Sequence, residues 1–180
     1  MDIWFCSDFH FGHENIIRYT KRPFKSLEEM DNLMINNFNK RVKEDDLVIF
    51  GGDFCFRYAP SESKTAPRKA FKHYRDQLKC KNIINICGNH DVRNGVKSPI
   101  QSMVIKHGGK RIFITHNPKF AKEEFDFNFC GHTHNKYGRF NKLGKNSCIV
   151  DLSVEGWNYE PVTINEIFGE HSKWMKSKKN

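Results

Sequence analysis

Short apolar runs break, one after another, into loops rich in glycine, aspartate, asparagine and histidine. Ile3 to Cys6 leads into Asp8-Phe9-His10, and Leu47 to Phe50 into Gly51-Gly52-Asp53. Ile83 to Cys87 leads into Gly88-Asn89-His90-Asp91, Arg111 to Thr115 into His116-Asn117-Pro118, and Phe127 to Cys130 into Gly131-His132-Thr133-His134. This recurrence restricts the fold severely. A continuously apolar stretch such as Leu47-Val48-Ile49-Phe50 suits a strand covered on both faces. Polar sites just beyond strand ends are the rule in α/β sheets. Glycine ahead of the ligand-bearing residues lets the backbone turn sharply and approach an ion closely. The chain has 180 residues, without internal repeat or linker, so one α/β domain spanning 1–180 is expected.

Helices separate the strands. Ser26 and Glu29 read as a capping box opening a helix over about 26–43, with Leu27, Met30, Met34, Phe38 and Val42 as its apolar face. Pro67 suits a helix start, after a polar loop over 57–65. Residues 103–106 and 111–115 flank His107-Gly108-Gly109-Lys110 as a hairpin. Later strands fit 147–152 and 162–164, and the lysine-rich tail 173–179 reads as a frayed end.

The recurring donors are carboxylate, amide oxygen and imidazole, a set suited to two adjacent divalent ions rather than to a lone structural zinc. Asp8 and His10 are two apart, as are His132 and His134, and on extended backbone each pair would point to one side. Of the six cysteines, Cys6, Cys55, Cys87 and Cys130 each lie two residues from a candidate ligand, and there is no CxxC pair. They read as small buried thiols, with a ligand or redox role as the sharper alternative. The net charge of +9 favours phosphate-rich partners. No run approaches the roughly 18 apolar residues of a membrane span, and Met1 to Cys6 has no signal-peptide pattern. A cytoplasmic protein is expected.

Taken in order, these five motifs resemble the calcineurin-like metallophosphoesterase superfamily from Asp8 to His134. The segments Asp8 to Ile17 and Trp157 to Val162 resemble a compact branch of predicted phosphoesterases from bacteria and their phages. The resemblance implies two packed β-sheets flanked by helices, a four-layer α/β/β/α fold. It implies that Asp8, His10, Asp53 and His134 hold one metal, and that Asp53, Asn89, His116 and His132 hold the other, with Asp53 bridging. Manganese is expected, with Fe, Zn, Co or Ni as alternatives. Two ions about 3.5–4 Å apart can share a hydroxide that attacks phosphorus in line. The implied activity is hydrolysis of phosphodiesters of nucleotides or short nucleic acids, in the cytoplasm of a bacterium or a phage-infected host, with no protein partner required. A phosphomonoesterase of nucleotidase or protein-phosphatase type is the alternative. A non-catalytic scaffold on the same fold would have eroded ligands, and here every expected position is filled.

His90, beside Asn89, is the candidate general acid, and Asp91 would orient it or raise its pKa. His13, Asn15, Arg57 and Arg93 are candidates for substrate phosphate, with a loop cap or a solvated charge as the plainer readings. Tyr137 and Arg139 could serve a nucleotide or simply cover a hairpin. Trp157 suits the core, and His73, His107 and His171 lie outside the motifs.

Overall fold

The computed structural model describes residues 1–56 and 67–178. Two mixed sheets make up the framework. In the first, β1 (Ile3–Cys6), β2 (Leu47–Phe50) and β3 (Asn82–Asn85) run parallel, and β9 (Val162–Thr163) pairs antiparallel with β1. The order is β3-β2-β1-β9. The second sheet has the order β4-β5-β6-β8-β7, from β4 (Ser102–His107), β5 (Lys110–Thr115), β6 (Phe127–Cys130), β7 (Phe140–Leu143) and β8 (Ser147–Asp151). β5, β6 and β8 are parallel, and β4 and β7 are antiparallel edges.

Strand alternation sorts the first sheet into two cores. Phe5 and Ile49 turn towards the second sheet and join Ile112, Ile114, Phe129 and Val150. The Phe5 and Phe129 rings meet edge to face at 5.1 Å. Trp4, Cys6, Val48 and Phe50 turn the other way, onto Met30, Met34 and Phe38 of α2 (Leu27–Arg41) and Tyr74 of α3 (Pro67–Arg75). α4 (Ile164–Ser177) adds Ile164 and Ile167 to the inter-sheet core, and α1 (Glu14–Tyr19) buries Ile16. Helices thus flank both sheets in the expected α/β/β/α arrangement. No helix among the described residues is long and apolar enough to cross a membrane.

Two local expectations change. Ser26 Oγ does accept from Glu29 N at 3.1 Å, but the Glu29 carboxylate reaches Lys25 N, one residue before the cap, so the box is not reciprocal. The tail is not frayed through 173–177. It continues α4, which opens with a reciprocal box between Thr163 and Glu166, and Trp174 packs 5.8 Å from the Phe140 ring. α1 and β7 were not expected at all.

Candidate metal centre

The ends of β1, β2, β3, β5 and β6 converge at one place, so both sheets supply candidate ligands. Asp8, His10 and His134 offer donor atoms within 4.8 Å of one another, and Asp53, His116 and His132 form a second such group. Asp53 Oδ2 joins them, lying 3.6 Å from His10 Nε2 and 3.3 Å from His116 Nε2. Asn89 Oδ1 is 3.0 Å from His116 Nε2, which puts the amide with the second group. In the first group His10 Nε2 and His134 Nε2 each lie 3.8 Å from Asp8 Oδ1.

The backbone departs from the expected geometry. Asp8, His10, Asp53, His132 and His134 all have positive φ, between 50° and 72°. Side chains other than glycine rarely adopt this conformation, and it clusters at sites where the surrounding structure enforces it. The paired side chains therefore do not converge by strand alternation. Asp8 and His10 meet in one group, while His132 and His134 separate into different groups. Hydrogen bonds between loops hold these conformations: Asp8 N donates to Gly52 O, His10 N to Asp53 O, and Phe56 N to Phe11 O.

Several of the candidate ligands have supports. Asp8 Oδ2 accepts from Ser7 Oγ at 2.6 Å, Ser153 Oγ at 3.1 Å and His132 N at 3.0 Å. His116 Nδ1 contacts Gly51 O at 2.9 Å, which directs Nε2 to the centre. His134 Nδ1 contacts Glu155 Oε1 at 2.9 Å, with the same effect. Arg22, buried, binds Glu155 Oε1 through two nitrogens and donates to the carbonyls of Asp8 and Phe9. A carboxylate behind a ligand histidine fixes tautomer and ring orientation. Neither Glu155 nor Arg22 was singled out from the sequence. The one available signal was that Glu155 lies just past the apolar run 147–152, as the candidate ligands lie just past theirs.

Protonation follows from burial and these contacts. Burial pushes His10 well below the usual imidazole range, with the Asp53 charge opposing it. Burial would also lower His116, but its bond to Asp53 and the charges of Asp8 and Asp53 hold it up at about 9. Asp53 is lowered despite burial because His116 and His10 face it. Glu155 is held down at about 2, since His134 and Arg22 outweigh its burial. Both ring nitrogens of buried His10 lack a hydrogen-bond partner. Orphaned imidazole nitrogens beside carboxylates are what a cation-binding donor set provides, so these residues fit two divalent ions.

The other candidates are placed as follows. Asp91 is fully buried, and its carboxylate accepts from Gly88 N, Asp53 N and Phe54 N at 2.7, 3.0 and 2.9 Å. It holds the loops together and makes no contact with the His90 ring among its hydrogen bonds. His90 N donates to Asp53 Oδ1 at 2.9 Å, and its ring lies 5.4 Å from that of His10. His13 is buried against Phe56, ring centroids 4.0 Å apart. Asn15 is exposed on α1, so it is not a loop cap, and Arg93 is exposed on a one-turn 3-10 helix. Arg57 lies outside the described residues. Arg139 pairs with Glu170 and covers the buried Trp157, whose indole donates to Asp151 O. The six cysteines are free, and burial raises Cys6, Cys55 and Cys130 further out of the thiolate range.

Residues 1–170 match the calcineurin-like phosphoesterase family. The chain belongs to this family. It is 34% identical to an uncharacterized protein of Methanocaldococcus jannaschii over 173 residues, covering 92% of this chain and 88% of that one. A protein of unknown function from Aquifex aeolicus has the same fold, with a TM-score of 0.64 at 23% identity, over 93% of this chain and 98% of that one. Two carboxylate–histidine groups in this fold support metal-dependent hydrolase activity in general.

Proposed function

We propose that the chain is a single-domain, cytoplasmic phosphodiesterase that uses two divalent ions, manganese first among them, on nucleotides or short nucleic acids. The observation that carries the reading is Asp53 Oδ2, within 3.6 Å of an imidazole from each donor group. In this reading Asp8, His10, Asp53 and His134 take one ion, and Asp53, Asn89, His116 and His132 the other. When bound, the ions would supply Lewis acidity towards a phosphate ester and hydroxide at neutral pH. The chain's residues do the rest. Asp53 fixes the spacing of the two groups. Glu155 and Gly51 hold His134 and His116 with Nε2 inward. His90 stands beside His10 to deliver a proton to the leaving oxygen, and Asp91 positions it through the 88–91 backbone. His13, Asn15, Arg57 and Arg93 are assigned to the phosphate side. The basic charge supports a polyanionic substrate. Placement in the compact bacterial and phage branch rests on the two segments that resemble it.

The test is Mn²⁺-reconstituted protein assayed in parallel on a dinucleotide, a nucleoside monophosphate and bis(p-nitrophenyl) phosphate, with and without chelator. Diester hydrolysis that a chelator abolishes is expected. His90→Ala should slow the dinucleotide about 10²–10⁴-fold and the nitrophenyl ester much less, with metal content unchanged. Monoester turnover alone, or activity intact without bound metal, would refute the reading.

A further inference from the structure

A run of rings leads outward from the first donor group. His10 lies 5.6 Å from His13, His13 stacks on Phe56 at 4.0 Å and 21°, and Tyr19 meets His13 edge-on at 6.1 Å. Phe56 also lies 6.0 Å from His90, so the wall borders the candidate acid. Exposure rises along it: His13 is 9% exposed, Phe56 is half-buried, and Tyr19 is 63% exposed. Tyr19 ends a six-residue helix whose buried residue is Ile16, so the helix core does not account for an aromatic there. The Arg18 guanidinium sits 5.5 Å from its ring. His13 stands at the N-terminus of α1 without making a side-chain cap, and its Nδ1 has no partner, so the helix does not explain the imidazole either.

We propose that Tyr19 and Phe56, backed by His13, form a stacking subsite for the nucleobase of a nucleotidyl phosphate held at the metal centre. This inference rests on the phosphoesterase reading only for what happens to the phosphate. A base is the occupant that the wall fits. It is flat and neutral, and it stacks on aromatic side chains whatever its sequence context, with arginine adding a cation–π contact. The phosphate attached to that base is drawn by the net charge of +9. A ribose phosphate has no π-face to offer the wall. Because Tyr19 is at the outer end, the subsite discriminates by ring stacking and not by hydrogen bonding to base edges, so purines and pyrimidines are both accepted.

Calorimetric titration of Mn²⁺-reconstituted protein with adenosine 5′-monophosphate, ribose 5-phosphate and phenyl phosphate tests this without turnover. The nucleotide should bind about 5- to 150-fold more tightly than ribose 5-phosphate, the range expected for one stacked base. Tyr19→Ala should erase most of that advantage and leave ribose 5-phosphate affinity unchanged. Phe56→Leu, which keeps apolar volume, should reduce it, and Tyr137→Ala, another exposed aromatic, should not. Equal binding of nucleotide and sugar phosphate by the unaltered protein overturns the proposal. So does phenyl phosphate binding as tightly as the nucleotide with the same dependence on Tyr19, since the wall would then take any aryl phosphate. A base advantage without hydrolysis of any ester would leave the subsite standing and remove the phosphoesterase reading. Diester hydrolysis without a base advantage would do the reverse.

Discussion

At Glu155 one carboxylate oxygen meets His134 Nδ1 and two nitrogens of Arg22, and Arg22 in turn ties down the carbonyls of Asp8 and Phe9. Glu155→Gln keeps the shape and removes the charge. Metal affinity at the Asp8 group should fall about 10- to 100-fold, as when partners of ligand histidines are lost. Equilibrium dialysis with elemental analysis measures it, and unchanged occupancy would assign Glu155 to packing alone. Asp31 makes a prediction about pH. Burial raises its carboxyl to about 7, against bonds from Tyr74 and Gly12 N and the charge of Arg22. The folded state thus holds a proton that the unfolded chain releases near its ordinary value of about 3.9. Its contribution to stability is full below that value and is lost as pH rises to about 7. Asp31→Asn cannot titrate. The stability of the native chain relative to Asp31→Asn should therefore decline between about pH 4 and 7 and level off above it, as read from urea midpoints. A difference independent of pH would mean that Asp31 stays ionised.

Two glycines at the scale of loop and helix respond oppositely to one methyl group. A Cβ on Gly131 would lie 2.3 Å from Asp8 Oδ2 and 2.6 Å from Ser7 Oγ, inside the hydrogen-bonded ligand cluster. Gly169, inside α4, would have nothing within 4 Å. Gly131→Ala should displace Asp8 and cost metal binding with secondary structure kept. Gly169→Ala should stabilise the helix by roughly 0.5–1 kcal/mol, a rise of about 2–4 °C per kcal/mol in a chain of this size. Circular dichroism melts with metal analysis separate the two outcomes. The same contrast explains what could be read from the sequence. The four-residue apolar strands β1 and β2 were legible because burial leaves a continuous apolar signal. The hairpin was legible because Gly108 and Gly109 both take positive φ, as a tight two-residue turn requires. α4 was hidden by Gly169 in its interior and by the lysines around Trp174. α1 has one buried residue and no periodicity to detect. The left-handed conformation of the candidate ligands was not legible, because Asp and His are enriched there but still adopt it in a minority of cases, and the inter-loop bonds that select it here are not visible in sequence.

The whole molecule is two sheets joined at one end by the donor groups. Asp8, His10, Asp53 and Asn89 follow strands of the first sheet, while His116, His132 and His134 follow strands of the second. The candidate donors were legible across this distance because each lies in its own local motif. Glu155 and Arg22 were not, because their roles exist only once β8 lies beside β6 and the stretch after α1 turns back beneath Asp8. Each ion would therefore bridge the two sheets, and its binding would favour the folded chain over the unfolded one. A ligand at 1,000 times its dissociation constant that binds only the folded state stabilises it by about 4 kcal/mol. At about 2–4 °C per kcal/mol, each Mn²⁺ so bound should raise the melting temperature about 8–16 °C above that of chelator-treated protein. Asp53→Asn, which removes the charge shared by both groups, should lose most of the rise. Because the ligands come from both sheets, the gain should appear in the global transition read by far-ultraviolet circular dichroism and by tryptophan fluorescence alike. Calorimetric binding without any rise in that transition would place the ions outside this donor set.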